Sequence, residues 1–496
     1  MTNPAADTRK RLPWIIAALM LSMLMSALGQ MVFSTALPTI VGELGGVEHM
    51  SWVISGFLVA ETIALPIFGK LGDQMGRKNL FMLVNGLFVI GSFMGGSANS
   101  MLLLIIARIV QGIAAGGMMI LSQSITAEVT TPRERGKYMG IMGSAFAVAS
   151  VLGPVLGGWF TDGPGWRWGL WLNIPIGFIA MGAIWFLLRL EPKKVRLNLD
   201  IWGMITMIIA TSSLVLTLTW GGNEFPWLSA QILGLALLTI IFGALFIFIE
   251  SRTADPIVPM RVFRNRNFAL TTIASFGLGI FMFGSLAYMP TYLQMVHAMT
   301  PTHAGLMMIT MMLGILITSL SVGNLVSRTG KYKRYPIVGM AVVTVALVLL
   351  STLTSDTSLV IYGIYMFIFG FGIGATMQVL VLIAQTSFPV AEVGTVTGTN
   401  NFIRQIGSAV GAALVGGIFV NRLTTFLAER LPQSSGKISH LTPSMVINLP
   451  EPIKAAIESS YNDALTPIFL LLAPLSAICC VALLFLREEH LQDTNA

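Results

Sequence analysis

The feature that most constrains this chain is a series of fourteen apolar runs, each about 20 residues long and poor in charged side chains. A helix of that length crosses the hydrocarbon core of a bilayer and satisfies its own backbone hydrogen bonds. Alternating segments of about ten residues, typical of membrane β-strands, are absent from the sequence. The runs cover approximately 13–38, 51–69, 79–98, 101–123, 137–160, 169–190, 201–221, 230–250, 267–294, 303–327, 335–354, 358–385, 400–420 and 464–486. The sequence therefore predicts an all-α integral membrane protein with fourteen transmembrane helices.

Composition agrees with a membrane environment. Of the 496 residues, 55% are hydrophobic and only 10% are charged, whereas soluble proteins usually carry about 25% charged residues. The net charge of +7 does not indicate a nucleic-acid partner, because the basic residues lie in short loops between apolar runs. The two cysteines, Cys479 and Cys480, are adjacent within the last run and are expected to pack as small apolar residues.

Lysine and arginine are concentrated in every second connection, on the side of the N-terminus. These residues are Arg9, Lys10, Arg11, Lys70, Arg77, Lys78, Arg133, Arg135, Lys137, Arg189, Lys193, Lys194, Arg196, Arg252, Arg261, Arg264, Arg266, Arg328, Lys331, Lys333 and Arg334. The short connections on the other side carry almost none apart from Arg167. Because basic residues are enriched in cytoplasmic loops, we expect a multi-pass protein of the cell inner (cytoplasmic) membrane with both termini in the cytoplasm.

Two polar, basic connections divide the chain. "LEPKKVRLNLD" follows the sixth run and "ESRTADPIVPMRVFRNRN" follows the eighth, which leaves an arrangement of six plus two plus six helices. We expect a cytoplasmic segment at 1–12, an N-terminal six-helix bundle at 13–190, a linker with helices 7 and 8 at 191–266, a C-terminal six-helix bundle at 267–486 and a cytoplasmic tail at 487–496. Residues 421–463 are expected to form a long external loop with short amphipathic helical pieces such as "EPIKAAIESS", either a mobile surface loop or a lid over an outward-facing cavity.

The connection between helices 2 and 3 reads "GKLGDQMGRK". Gly69 and Gly76 permit close backbone approach and a tight turn, while Asp73 can accept hydrogen bonds from a helix N-terminus or from an arginine such as Arg77. This stretch resembles the signature loop of the major facilitator superfamily.

Three further stretches strengthen that resemblance. "RIVQGIAAGG" from Arg108 is similar to the family's helix 4 motif, "GPVLGG" at 153–158 to the motif of its antiporters, and "WRWGLWLNIPIG" at 166–177 to the fourteen-helix drug:proton antiporter branch, DHA2. "YLQMVHAMTPTHAGL", "GKYKRY" and "NNFIRQIGSAVGAA" also look like that branch. The resemblance covers nearly the whole chain and implies the major facilitator fold and drug export by alternating access.

The motif residues have physical interpretations of their own. Arg108 is a permanently charged group near mid-membrane, so it either ties helices together through carbonyls and Gln111 or takes part in a proton pathway. In "GPVLGG", Gly153, Pro154, Gly157 and Gly158 form either a flexing seam between the two halves or a simple close-packed helix contact. Asp73 and Arg77, with the Arg133 to Arg135 loop, are expected to form a cytoplasmic latch that breaks as the halves rock.

An adaptable apolar cavity is the expected substrate site, since thioethers and aromatic rings accommodate varied shapes. The candidate lining residues combine apolar and polar side chains: Gln30, Met31, Phe33, Phe57, Gln111, Tyr288, Tyr292, Gln294, Gln378 and Asn401. Such a cavity suits lipophilic compounds and also cationic ones.

The proton carrier is not where the resemblance places it. The family usually has an acidic residue in helix 1 where this chain has Gly29, and nearly all other acids lie in loops or at helix ends. Glu61, inside "FLVAETIALP" of helix 2, is the exception. At a rise of about 1.5 Å per residue, Gly29 lies about 14 Å inward from Pro38 and Glu61 about 15 Å inward from Ser51. We hypothesise that the carboxylate has moved to helix 2 and serves the same cavity, with Arg108 as the second candidate for proton coupling; the alternative is a neutral Glu61 hydrogen-bonded between helices.

The sequence thus favours a secondary exporter that moves lipophilic or cationic compounds in exchange for protons, rather than an enzyme. Nucleotide-binding loops, nucleophile triads and histidines at metal-ligand spacing are absent from the sequence, so we expect no cofactor and no metal. Beyond its substrate, protons and the bilayer we expect no partner, and a monomer. Two alternatives stay open: a dedicated exporter of one metabolite, antibiotic, bile acid or lipid-like molecule, and a non-transporting membrane receptor.

Overall fold

The computed structural model describes residues 4–45, 49–190, 198–222, 224–430 and 450–491, except for the side chains of residues 4–10, 31–35, 38, 154, 162, 301 and 302. The described part of the chain is built from seventeen α-helices. They are α1 Pro4–Leu44, α2 Met50–Met75, α3 Arg77–Gly96, α4 Met101–Val129, α5 Pro132–Asp162, α6 Arg167–Trp171, α7 Asn173–Leu187, α8 Ile201–Trp220, α9 Ala230–Glu250, α10 Arg266–Leu286, α11 Met289–Val296, α12 Pro301–Met307, α13 Ile309–Thr329, α14 Arg334–Ser351, α15 Leu359–Thr386, α16 Val393–Arg430 and α17 Glu451–Leu484.

These helices provide fourteen spans long and apolar enough to cross a membrane, which confirms the all-α architecture expected from the sequence. Three spans contain a break: α6 with α7, α10 with α11, and α12 with α13. Short polar residues fix where several helices begin, because their side chains accept the otherwise unpaired N–H groups of the first turn. Ser100 does so for α4, and Thr131 forms a reciprocal capping box with Glu134 at the start of α5.

The segment expected to form a long loop at 421–463 is helical at both ends. Helix α16 continues to Arg430, and α17 begins at Glu451, so the piece "EPIKAAIESS" is helical as the sequence indicated; residues 431–449 lie outside the described part. Arg430 joins the two helices by donating hydrogen bonds to Ser459 Oγ at 2.9 Å and Asp463 Oδ2 at 2.6 Å. The apolar runs did not reveal the extension of α16, because its last ten residues, "NRLTTFLAER", include several polar and charged side chains.

The helices pack as two bundles, here called the N half (α1–α7) and the C half (α10–α17). Within the N half α2 and α3 pack on α4; within the C half α10 packs on α16, and α13 and α14 pack on α15. The halves meet along two seams, α2 against α16 and α5 against α13. Helices α8 and α9 lie outside both halves: α8 packs on α2 and α16, whereas only 6% of the α9 span is buried.

The two ends of the molecule differ in charge. One end, here called the basic end, carries the turn after α2, the start of α5 and the turn after α13, with Lys70, Arg77, Arg133 and Arg328. The other, here called the opposite end, carries the α8–α9 turn and the junction of α16 with α17. The lysine- and arginine-rich connections of the sequence thus lie together at one end of the molecule.

Glycines allow the halves to touch backbone to backbone near the basic end. A Cβ atom on Gly69 of α2 would lie 2.4 Å from the carbonyl oxygen of Gly394 in α16, and one on Gly140 of α5 would lie 2.3 Å from that of Ser319 in α13. Both distances are too short for any side chain. Both seams therefore require glycine in the conformation observed.

The "GPVLGG" motif in α5, residues 153–158, includes a glycine that is not closely packed, unlike Gly69 and Gly140. Gly153 and Gly157 are buried, and only the backbone of Pro154 is described, but a Cβ atom on Gly158 would meet no described atom within 4 Å. Close packing therefore does not explain Gly158 in this conformation.

We predict that Gly69→Ala opens the basic end. The added methyl group clashes with the Gly394 backbone, and overpacking of this kind costs about 1–3 kcal/mol, so conformations with α2 and α16 apart gain population. The test is the alkylation rate of a cysteine at the buried Ser319, in a Cys479→Ser, Cys480→Ser background. Gly69→Ala should accelerate alkylation, and the matched change Gly158→Ala should leave it as in the parent. Equal rates in the two variants would contradict the prediction.

Candidate functional site

Asp73 of the N half caps a helix of the C half. Its Oδ1 atom accepts a hydrogen bond from the backbone N–H of Gly394 at 3.0 Å, and its Oδ2 atom accepts from the N–H and hydroxyl of Thr395 at 2.7 and 2.9 Å. Helix α16 begins at Val393, so these donors belong to its first turn, where unpaired N–H groups and the helix dipole favour a negative charge. The carboxylate thereby fastens α2 to α16 at the basic end.

Two arginines add further bonds between the halves at the basic end. Arg77 donates to Asp73 at 2.8 Å and to the Val390 carbonyl of the C half at 2.7 Å. Arg133 donates to the carbonyls of Ser327 and Arg328 in the last turn of α13, at 2.8 and 2.7 Å. Arg77, Arg133 and Asp73 thus close both seams and are together called the basic-end latch.

The turn between α2 and α3 orients the side chains of Asp73 and Arg77 towards the C half. Gly76 has a φ of +92°, a backbone conformation that side chains other than glycine rarely adopt. Gly76 is the single residue between the end of α2 at Met75 and the start of α3 at Arg77. Arg135, in contrast, bonds the Ala127 carbonyl within its own half at 2.7 Å, so of the predicted loop arginines it is Arg133 that crosses the seam.

A large cavity of about 1270 Å³ lies between the halves. Its wall includes five of the predicted residues: Gln30, Phe57, Arg108, Tyr288 and Gln294. It also includes Gly222 and Trp227 of the α8–α9 turn and Thr424 and Thr425 near the far end of α16, which place its mouth at the opposite end. In the part of the chain that the structure describes, the cavity is therefore closed at the basic end and open at the opposite end.

Arg108 lies in the wall of this cavity but is held by the N half. It donates hydrogen bonds to the Gly29 carbonyl at 2.9 Å and to Gln111 Oε1 at 3.0 Å, and its guanidinium lies 4.1 Å from the centre of the Phe57 ring. Gln111 in turn donates to Ser92 Oγ at 2.8 Å. These contacts keep a permanent positive charge at the cavity wall and connect α1, α2, α3 and α4.

A second, smaller cavity of about 80 Å³ lies deeper between the halves. It shares Gln30, Phe283 and Ser408 with the large cavity, so the two are neighbours. Glu61 of α2 and Arg404 of α16 both line it. The small cavity thus contains an acid and a base from different halves.

Glu61 is 8% exposed, and its Oε2 atom accepts no hydrogen bond from any described residue. The charges of Arg108 and Arg404 both act on it. The alternative in which a neutral Glu61 is tied between helices by hydrogen bonds therefore lacks support at this oxygen. A buried carboxyl group with an unpaired oxygen is suited to binding and releasing a proton.

Gly29 does not face the same space as Glu61. A Cβ atom on Gly29 would lie 3.0 Å from the ring of Phe88, inside the N half, whereas Glu61 faces the small cavity between the halves. The two positions share a partner instead, because the Gly29 carbonyl accepts a hydrogen bond from Arg108, whose charge acts on Glu61.

Other acids in the described part are engaged elsewhere. Glu128 pairs with Arg77 at 2.8 Å, and Glu250 accepts hydrogen bonds from the backbone N–H groups of Ile257 and Val258. No group of three or more His, Cys, Asp or Glu that could hold a metal ion occurs among the described residues.

Glu43, at the opposite end of α1, is also committed. Trp166 donates to its Oε2 atom at 2.7 Å and Arg167 to its Oε1 atom at 2.5 Å, and these two hydrogen bonds hold the pKa of Glu43 below its ordinary value. A carboxylate stabilised in its ionised form at the rim is poorly suited to carry a proton through the membrane.

The remaining predicted lining residues occupy other places. Gln378 lines the small cavity. Tyr292 is buried in the C half, where it donates to Asn462 at 2.8 Å, and Asn401 donates across the seam to Gln123 at 3.0 Å; neither they nor Gln111 line a described cavity. The side chains of Met31 and Phe33 lie outside the described part.

Sequence reasoning missed two contributors. Arg404 lies within "NNFIRQIGSAVGAA", and a charged residue inside an apolar run was the available signal. The α8–α9 turn also forms part of the large cavity wall. Just before this turn, Trp220 at the end of α8 contacts Trp52 of α2 with ring centres 4.7 Å apart. Nothing in the local sequence indicates that this accessory pair reaches the cavity.

Comparison with known proteins identifies the family. The family model described as "Major Facilitator Superfamily" matches residues 19–412. The chain is 37% identical to the multidrug transporter protein MdtP of Bacillus subtilis, over 84% of this chain and 77% of that protein. It is 30% identical to multidrug resistance protein 3 of the same organism, over 97% and 96% of the two chains. It is also 36% identical to an uncharacterized MFS-type transporter of Mycobacterium tuberculosis, over 97% and 70%.

Solved structures agree on the fold. The human organic anion transporter MFSD10 matches with a TM-score of 0.62 at 15% identity, covering 96% of this chain and all of that one. The proton:xylose symporter XylE matches with a TM-score of 0.63 at 12% identity, covering 97% of both. With the fold, the two seams and the central cavity in place, these matches show that the chain belongs to the Major Facilitator Superfamily and is a membrane transporter with multidrug efflux proteins among its relatives.

Proposed function

We propose that this transporter exports lipophilic compounds across the cytoplasmic membrane in exchange for protons. The observation that carries the proposal is the cavity of about 1270 Å³, walled by both halves and, among the described residues, closed at the basic end. Its apolar wall includes Phe57, Phe283, Met308 and Met312, side chains that accommodate molecules of different shapes. The names of the Bacillus relatives support multidrug efflux and, with it, a role in antibiotic resistance.

The orientation follows from the loop charges. If the basic end lies in the cytoplasm, as the distribution of lysine and arginine favours, both termini are cytoplasmic and the structure is the outward-facing form. Release of the basic-end latch and closure of the opposite end would then give the inward-facing form. In this cycle the N and C halves, proposed here to be the bundles at 13–190 and 267–486, rock around the central cavity.

The wall of the cavity bears on the choice between lipophilic and cationic substrates. Its one charged side chain among the described residues is Arg108, and no described carboxylate lines it. The positive charge of Arg108 repels cations from this cavity. The acid that could attract a cation, Glu61, lines the neighbouring small cavity instead. The lining therefore favours lipophilic molecules without a positive charge over cationic ones.

Proton coupling is assigned to Glu61, with Arg108 as the charge that acts on it from α4. Glu61 lies beside the floor of the large cavity and has an unpaired oxygen, so it can take up a proton from the open side. A dedicated exporter of one metabolite remains the alternative, and a substrate panel in a pump-deficient bacterium distinguishes the two. Efflux of several unrelated lipophilic compounds supports the proposal; efflux of a single one supports the alternative.

We predict that Glu61→Gln abolishes proton-coupled transport. Glutamine keeps the shape of the side chain but cannot exchange a proton, so substrate flux in proteoliposomes should lose its response to an imposed pH gradient and fall by about tenfold or more, at least ~1.4 kcal/mol in activation free energy. The matched control is Glu429→Gln, which changes an exposed acid of α16. Coupling retained by Glu61→Gln at the level of the control would refute the assignment.

We also predict that Gly417→Trp blocks large substrates. Gly417 lines the large cavity and a Cβ atom there meets no described atom within 4 Å, so an indole can enter the cavity without displacing the backbone. Efflux of bulky dyes should fall more than efflux of small ones. Gly234→Trp, on the exposed α9 where a Cβ atom is equally unobstructed, should leave both unchanged. An equal effect of the two variants would show that the cavity is not the substrate path.

A further inference from the structure

The small cavity brings together two buried charges from different halves. Glu61 of α2 and Arg404 of α16 are each 8% exposed and both line it. Within the described part of the chain the Arg404 guanidinium donates no hydrogen bond, and the Oε2 atom of Glu61 accepts none. Each group acts on the other through its charge. The two therefore line one cavity from opposite sides of the seam as buried opposite charges.

One other charged group acts on Glu61. Arg108 of α4 does so from within the N half, more strongly than Arg404, and it moves together with Glu61 because both belong to that half. The described residues that α1, α5, α10 and α15 contribute to the small cavity are uncharged, including Gln30, Gln378 and Met142. Arg404 is thus the charged partner that Glu61 has in the opposite half.

This pair lies on the helices that the basic-end latch joins. Gly69 and Asp73 follow Glu61 on α2, while Gly394 and Thr395 precede Arg404 on α16. At about 1.5 Å per residue, Glu61 is about 12 Å from Gly69 along α2, and Arg404 is about 15 Å from Gly394 along α16. A motion that separates α2 from α16 along this length, from the latch to the small cavity, draws Glu61 away from Arg404.

Charge determines which conformation the pair favours. Opposite charges attract strongly where water is scarce, so ionised Glu61 stabilises the arrangement with α2 against α16. Protonation leaves a neutral acid, and that attraction is lost. The same proton that loads Glu61 would therefore loosen the seam at the basic end.

We propose that Glu61 and Arg404 form a proton-operated tie between the halves, in which Arg404 is the positioning residue that converts protonation of Glu61 into opening of the basic end. This rests on the proposed function, in which Glu61 carries the proton. The direction agrees with antiport: a proton taken up from the open cavity permits the basic end to open, and its release there restores the tie. Arg404 thereby links proton occupancy to the direction the cavity faces.

The test measures the width of the basic end at two pH values. Spin labels are attached to cysteines replacing Lys137 of α5 and Lys331 after α13, both exposed, in a background with Cys479→Ser and Cys480→Ser. Distances are recorded by double electron–electron resonance in nanodiscs without substrate. In the parent, acidic buffer should increase the long-distance population and alkaline buffer the short one.

Variants of Arg404 separate a tie from a merely structural role. Arg404→Gln should make the distance distribution insensitive to pH, whereas Arg404→Lys, which keeps the charge, should retain the response. Arg422→Gln, the matched change farther along α16, should behave like the parent. A parental pH response in Arg404→Gln would overturn the tie.

Glu61→Gln provides a second route that leaves Arg404 untouched. Because glutamine resembles the neutral acid, this variant should show mainly the long spin-label distance at both pH values. A pH response like that of the parent would also overturn the tie. The transport assay distinguishes failure of the proposed function: if Glu61→Gln keeps its proton coupling, Glu61 is not the carrier. If coupling is lost while Arg404→Gln still responds to pH, only the tie fails.

Discussion

The capping of α16 by Asp73 is the interaction on which the observed conformation depends. A carboxylate of the N half satisfies the first N–H groups of a C-half helix, and the Gly69 and Gly394 backbones can approach because neither carries a side chain. Because the seam closes at the basic end, the space that the described residues enclose between the halves opens at the opposite end. The cavity and its polarity are consequences of that closure.

Much of the fold could be predicted because the bilayer permits few alternatives. An apolar run of about 20 residues has to be a helix, and the number of such runs gave the fourteen spans that the structure has. The apolar runs did not predict the polar extension of α16 to Arg430. Hydrogen bonds from Arg430 to Ser459 and Asp463 of α17 stabilise this extension. Long-range contacts of that kind leave no periodic signal in the local sequence.

The candidate site was predictable where charge made a residue conspicuous. Glu61 and Arg108 were singled out because ionisable groups are costly inside a membrane, and both lie at cavities between or beside the halves. Aromatic and amide side chains gave a weaker signal: Tyr288 reaches the large cavity, while Tyr292, one turn along, is buried against Asn462. The facing direction of each residue depends on the break between α10 and α11, which sequence spacing does not reveal.

The central claim is that substrate and proton move in opposite directions through one site that contains Glu61. The most direct measurement places purified protein in liposomes containing a pH-sensitive dye, with equal pH on both sides, and imposes a substrate gradient alone. The account predicts proton movement against the direction of substrate flow in the parent and none in Glu61→Gln. Substrate flow without any proton movement in the parent, or equal proton movement in Glu61→Gln, would contradict it.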